Sequence, residues 1–97
     1  MRVIARSTLR AFWEAVGHED AEAPLRAWYT EATQSDWTGT GQVKARFGTA
    51  SILKGGRVVF KIRGNKYRLV VLIRHPYVYI RFVGTHAEYD AIDAQTI

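Results

Sequence analysis

The sequence predicts an α+β fold: an N-terminal strand and two helices packed on one face of a small antiparallel sheet, followed by a short C-terminal helical turn. Three observations carry this. Two stretches before residue 35 repeat apolar residues at helical spacing, and three stretches after residue 56 alternate apolar with polar residues. Gly64-Asn65 and His75-Pro76 separate those alternating stretches as turn signals. With 97 residues there is room for one core, so residues 1–97 read as a single domain.

Arg2 to Ala5 reads as the first strand. Ser7 is placed to cap a helix in which Leu9, Phe12, Trp13 and Val16 recur at i, i+3, i+4 and i+7, with Gly17 stopping it. Asp20 is placed to cap a second helix carrying Ala21, Leu25, Trp28, Tyr29 and Ala32 on one stripe. Pro24 falls in its first turn, where a missing N–H costs nothing. The aromatic stripe of Trp13, Trp28 and Tyr29 reads as core. Trp37 to Gly41 is a turn-rich link, and Val43 to Phe47 can be helical or extended. Ala50 to Leu53 reads as another short strand, ended by a turn at Gly55-Gly56.

In the second half, Val58, Phe60 and Ile62 share one strand face, as do Tyr67, Leu69, Val71 and Ile73, and then Val78, Ile80 and Phe82. A turn at Gly64-Asn65 pairs Arg63 with Lys66, Lys61 with Arg68 and Phe60 with Leu69. A turn at His75-Pro76 pairs Arg74 with Tyr77 and Val70 with Arg81. By this register Lys61, Arg63, Lys66, Arg68 and Arg81 project from one face of a three-stranded meander. The opposite face is apolar and needs the helices to cover it.

Hydrophobic residues make up 47% and charged residues 24%, which fits a folded globular chain rather than a disordered one. The last few residues are expected to fray. Leu69 to Ile73, the longest purely aliphatic run, is far too short to span a bilayer, and the N-terminus lacks the apolar stretch of a secretory signal. The chain has no cysteine, which excludes disulfides and thiolate metal sites. These features point to a cytoplasmic protein with no membrane association.

The net charge of +5 is unevenly spread. Met1 to Asp36 holds four basic and six acidic residues, and Glu88 to Ile97 holds three acids and no base. Trp37 to Ala87 holds ten basic residues and no acid. The plain alternative is a solvated surface, but ordinary surfaces intersperse both signs. Like charges directly across a strand pair destabilise it by a few tenths to about 1 kcal/mol each, and Arg63/Lys66 and Lys61/Arg68 would both be such pairs. Phosphates seated between the cations remove the repulsion and release counterions. Tyr77 and Tyr79 add aromatic surfaces on which bases can stack. DNA shares the phosphates, but the helices carry few exposed cations and show no recognition-helix pattern. The basic face is therefore expected to hold RNA.

Thr85 and Glu88 have capping-box spacing, so a helical turn should begin there and present His86 and Tyr89 on one side. Cleavage of RNA through its own 2′-hydroxyl needs a proton acceptor, positive charge on the phosphorane and a proton donor for the leaving oxygen. His86 can act as acid or base. Arg68 and Arg81 can hold the non-bridging oxygens, with help from Lys61 or Lys66. Tyr89 can stack a base, orient the hydroxyl or transfer a proton. Taken alone, a histidine at a helix start is more often a capping or structural residue. His18 and His75 read as turn residues. No histidine has metal-ligand spacing, so a metal-independent reaction without cofactors is expected.

Two runs carry a resemblance: Phe60-x-Ile62-x-Gly64-Asn65-x-x-Arg68 and Thr85-His86-x-x-Tyr89-Asp90. They resemble the HigB toxins of the RelE/ParE superfamily, and the likeness extends more weakly through the helices. The resemblance implies a RelE-like fold and an mRNA interferase acting on translating ribosomes. It also implies a HigA-type antitoxin with a helix-turn-helix domain. Arg68, His86 and Tyr89 are carried over as catalytic candidates. The RNA-binding set is Lys61, Arg63, Lys66, Tyr79 and Arg81, drawn mainly from the register. Two rivals stand beside this reading. A non-catalytic RNA- or ribosome-binding module would bind RNA and leave it intact. A superfamily relative that poisons DNA gyrase would trigger a DNA damage response instead of message loss.

Overall fold

The alternating stretches of the second half form the centre of a five-stranded sheet in the computed structural model, which describes residues 1–97. The strands are β1 (Arg2–Ile4), β2 (Ser51–Ile52), β3 (Arg57–Ile62), β4 (Tyr67–Arg74) and β5 (Tyr77–Thr85). Their order across the sheet is β1-β5-β4-β3-β2. The expected antiparallel sheet runs from β2 to β5, and β1 joins it in parallel beside β5. That parallel partner needs a long crossover. The crossover includes α1 (Arg6–Glu14), α2 (Glu22–Gln34) and α3 (Thr40–Arg46), while α4 (His86–Asp90) follows β5.

One face of the sheet packs on the helices. Leu9 and Trp13 of α1 and Leu25, Trp28 and Ala32 of α2 are buried with Phe60, Leu69, Val71 and Val78. Trp28 meets the Phe60 ring edge-on at 5.4 Å, and Phe47 does so at 5.1 Å. The helical stripes therefore become core, as their spacing predicts. The stretch from Val43 resolves as helical within α3, and Trp37 anchors the link before it in the same core.

Several local expectations differ. Ala5, not Ser7, stands at the N-cap of α1, and Ser7 lies within the helix. Val16 lies beyond the end of α1 and is 95% exposed, because the helix stops before the apolar stripe completes a further turn. Asp20 caps nothing. It sits in a 3₁₀ turn, Glu19–Ala21, that runs directly into α2.

The first hairpin has the predicted register, with Lys61 opposite Arg68 and Phe60 opposite Leu69. Lys66 N–H closes the turn on the Arg63 carbonyl at 3.2 Å, with Gly64 at φ +66°. The second hairpin starts as predicted, with Arg74 opposite Tyr77, and then breaks register at a β-bulge. Val71 pairs with Ile80 but Val70 pairs with Phe82, so Arg81 is the extra residue. A turn fixes register only while the ladder stays regular, and here the bulge puts Phe82 where Arg81 was expected.

The outer face is consequently part apolar. Val59 and Val70 are buried there under Ala94, with Leu53, Phe82, Tyr89 and Ile97 packed alongside. The C-terminal residues expected to fray instead fold back, and Arg57 Nε donates to the Ile97 carbonyl at 3.0 Å. No helix is long and apolar enough to cross a membrane.

Candidate nucleic-acid interface

Arg68 stands on the outer side of β4, between Lys61 of β3 and Gly84 of β5. It is 8% exposed and is the one charged residue that is buried. Its Nη1 donates to the Asn65 carbonyl at 3.1 Å, and its guanidinium lies 5.6 Å from the centre of the Tyr89 ring. No carboxylate forms an ion pair with it. A buried cation is costly unless paired, so this one favours any anion that can reach it.

The capping box forms as its spacing predicts. Glu88 N–H donates to Thr85 Oγ1 at 3.1 Å, and Thr85 N–H donates to Glu88 Oε1 at 2.8 Å. The Thr85 backbone hydrogen bond is the main reason the Glu88 carboxyl lies below its usual range. Gly84, just before the cap, leaves no room for a side chain: a Cβ there would meet Phe82 Cζ at 2.5 Å and Glu88 Oε1 at 3.0 Å. The cap fixes α4, which lays Tyr89 against Arg68 and 6.4 Å from Phe82.

His86 begins α4. Its backbone N–H is tied to the Lys66 carbonyl at 3.1 Å, and its side chain is 46% exposed. Nδ1 lies 3.0 Å from Asp90 Oδ2. An ionised carboxylate only accepts, so Nδ1 is the donor of this bond; Nε2 then accepts in the neutral ring and donates in the protonated one. Arg68 and Tyr89 are thus in contact, while the His86 ring makes its hydrogen bond with Asp90 rather than with either. Asp90 enters the sequence only as the end of the Thr85-His86-x-x-Tyr89-Asp90 run, with no role assigned, although its i+4 spacing from His86 is legible there.

The remaining predicted cations do not gather on one face. Arg63 Nε and Lys66 Nζ both reach Asp20 Oδ2, at 2.9 and 2.6 Å. The buried Tyr67 hydroxyl donates to the other oxygen of the same carboxylate. Hydrogen bonds from Lys66 and then Tyr67 hold the Asp20 carboxyl at about 2, and Asp20 in turn raises the pKa of Lys66 and Tyr67. Arg63 and Lys66 therefore turn toward the helix side, drawn by an acid more than 40 residues away in sequence. Arg81 is exposed at the bulge, outside the ladder.

Lys61 stays exposed opposite Arg68 and has no carboxylate partner. Tyr79 stands opposite Leu72, roughly 15–20 Å along β5 from Gly84 by strand rise. Its ring lies 5.9 Å from that of Tyr77, over which Arg2 sits at 6.0 Å. His75 is a turn residue, with Nε2 2.6 Å from Asp36 Oδ1. His18 is instead a packing residue, stacked on Phe12 at 4.2 Å and edge-on to Tyr67. No group of three or more His, Asp or Glu side chains is placed to hold a metal ion.

A helix-covered sheet with a capped C-terminal helix beside its outer face defines a RelE-like α+β domain. Residues 21–92 match the HigB toxin family, the RelE-like toxic component of a toxin-antitoxin system, and the chain belongs to that family. The match runs from the start of α2 through α4 and includes every candidate site residue. Comparison with curated proteins finds none that matches.

Proposed function

We propose that this toxin is a metal-independent endoribonuclease that cuts mRNA on translating ribosomes in the cytoplasm, held in check by a HigA-type helix-turn-helix antitoxin. The observation that carries the reading is Arg68: a buried guanidinium against Tyr89, with no carboxylate partner, beside the capped helix that bears His86. In the reaction the 2′-oxygen attacks phosphorus and the bond to the 5′-oxygen breaks. The products are a 2′,3′-cyclic phosphate and a 5′-hydroxyl. One proton leaves the 2′-hydroxyl and one reaches the leaving oxygen, and His86 and Tyr89 divide these transfers. Arg68 stabilises the charge that grows on the phosphorane, with Lys61 beside it.

RNA binding extends outward from this centre. Lys61 and Arg81 offer unpaired charge to phosphates, and Tyr79 offers a ring for a base further along the sheet. Arg63 and Lys66 contribute less, because Asp20 already neutralises part of their charge.

The second reading is a non-catalytic RNA- or ribosome-binding module. It draws on the His86 ring, which hydrogen-bonds Asp90 and makes no bond to Arg68 or Tyr89. Expression of the Arg68→Ala/His86→Ala double variant separates the two. The endonuclease reading expects growth arrest to be lost with the protein still folded by circular dichroism. A folded double variant of full toxicity would eliminate the site. A chain that binds RNA with a steep salt dependence yet leaves it intact would establish the module.

A further inference from the structure

His86 and Asp90 stand at the two ends of α4, in the order that a helix disfavours. The helix dipole favours an acid in the first turn and a basic group in the last, and here the imidazole comes first. An i,i+4 pair is also weaker with the basic member leading. The two side chains are 46% and 62% exposed, so their contact adds little to stability. A local rule broken without a gain in stability marks residues placed for another reason.

What the contact does is fix a ring. The backbone at His86 is held by its N–H on the Lys66 carbonyl and by the Thr85–Glu88 box that starts the helix. The ring itself is tied only through Nδ1, whose bond to Asp90 Oδ2 is its one hydrogen bond within the chain. The Asp90 carboxylate has no other hydrogen bond or ion pair. Because that carboxylate requires a proton on Nδ1, Nε2 is the bare nitrogen of the neutral ring. His75 is the contrast within the same chain: its partner Asp36 takes Nε2 at 2.6 Å, which leaves Nδ1 bare.

We infer that Asp90 is a positioning residue for cleavage, holding His86 in its Nδ1–H form so that Nε2 exchanges a proton with RNA. The Nδ1 proton stays on the ring throughout, and Asp90 orients that ring without taking the proton itself. Nε2 accepts a proton when the ring is neutral and returns it when the ring is charged, so the balance closes on one nitrogen. The role in cleavage rests on the endonuclease reading. The state of the ring rests on the fold alone, and it is measured without RNA.

Long-range ¹⁵N–¹H NMR of the full chain at alkaline pH, with His86→Ala to identify the signals, reads the ring directly. The His86 proton should sit on Nδ1, and that of His75 on Nε2. Asp90→Asn is the decisive variant. Its amide keeps the size and hydrogen bonding of the carboxylate but can also donate to Nδ1, so the Nδ1–H share should fall. Asp90→Glu retains an ionised acceptor and should keep that share. In single-turnover cleavage of ribosome-bound mRNA, Asp90→Asn should lower the saturated rate about tenfold or more. Its half-saturating concentration should stay within about twofold, and Asp90→Glu should recover part of the rate. A merely structural contact would be satisfied by the asparagine. A wild-type His86 proton on Nε2 overturns the inference, as does wild-type tautomer or wild-type rate in Asp90→Asn. Wild-type toxin that leaves mRNA intact defeats the endonuclease reading separately, and the NMR result then decides whether Asp90 fixes the ring.

Discussion

At the turn of the β3–β4 hairpin Arg63 and Lys66 share Asp20, whereas two pairs along the same ladder Lys61 and Arg68 have no carboxylate at all. Both pairs belong to one acid-free stretch and place like charges across a strand pair. The turn residues lie at the sheet's end, where the acidic segment before α2 can reach them. The strand residues face outward, and the two acids of the neighbouring α4, Glu88 and Asp90, bond Thr85 and His86 instead. Charge density along a sequence therefore overstates the charge that a ligand can use. What counts is which cations the fold leaves unpaired.

The largest effect is expected at Arg68. Arg68→Met keeps the length of the side chain and removes the charge. Cleavage should fall by at least about a hundredfold, while the denaturation midpoint holds or rises because an unpaired buried cation is gone. A lower midpoint with cleavage retained would make Arg68 a packing residue. His86→Ala should lower the single-turnover cleavage rate by about a hundredfold or more and leave RNA affinity unchanged. Equal loss of rate and affinity would move His86 from proton transfer to binding.

Gly84→Ala should cost about 1–3 kcal/mol in denaturant unfolding, since the new methyl displaces Phe82 and the Glu88 cap. Wild-type stability would show that the cap region is more pliant than its packing implies. Smaller effects are expected at the turn. Lys66→Ala should weaken RNA binding much less than Arg68→Met, and Asp20→Asn should strengthen it at low salt by freeing two cations. Asp20→Asn should also lower the melting temperature at neutral pH. Because the folded carboxyl titrates at about 2 rather than 3.8, its contribution is complete above that ordinary value and fades as pH falls toward 2. Melting curves of variant and wild type should converge over that window.

Much of the fold was legible because local rules and tertiary demands agreed. The helical stripes, the Gly64-Asn65 register and the Thr85–Glu88 box each depend on residues close in sequence. What was not legible depends on distant partners. The bulge at Arg81 answers to packing of Phe82 on Val70 under the C-terminal residues, which no alternation pattern records. Asp20 resembles a helix cap by type and position, and only the folded chain shows that its carboxylate serves Tyr67, Lys66 and Arg63 instead. Of the candidate site, Arg68, His86 and Tyr89 are proposed from sequence and a family likeness, whereas the contacts that Asn65 makes with Arg68 and Phe82 with Tyr89, and the tight fit at Gly84, are visible only in the fold.

The central claim is that the unpaired Arg68, with the α4 residues beside it, holds and cuts RNA. Mapping RNA ends after brief induction of the wild type and of Arg68→Met tests it most directly. New 5′-hydroxyl ends within messages of wild-type cells, absent from the variant, are the predicted result. Growth arrest without new ends, or the same ends in both strains, would contradict it.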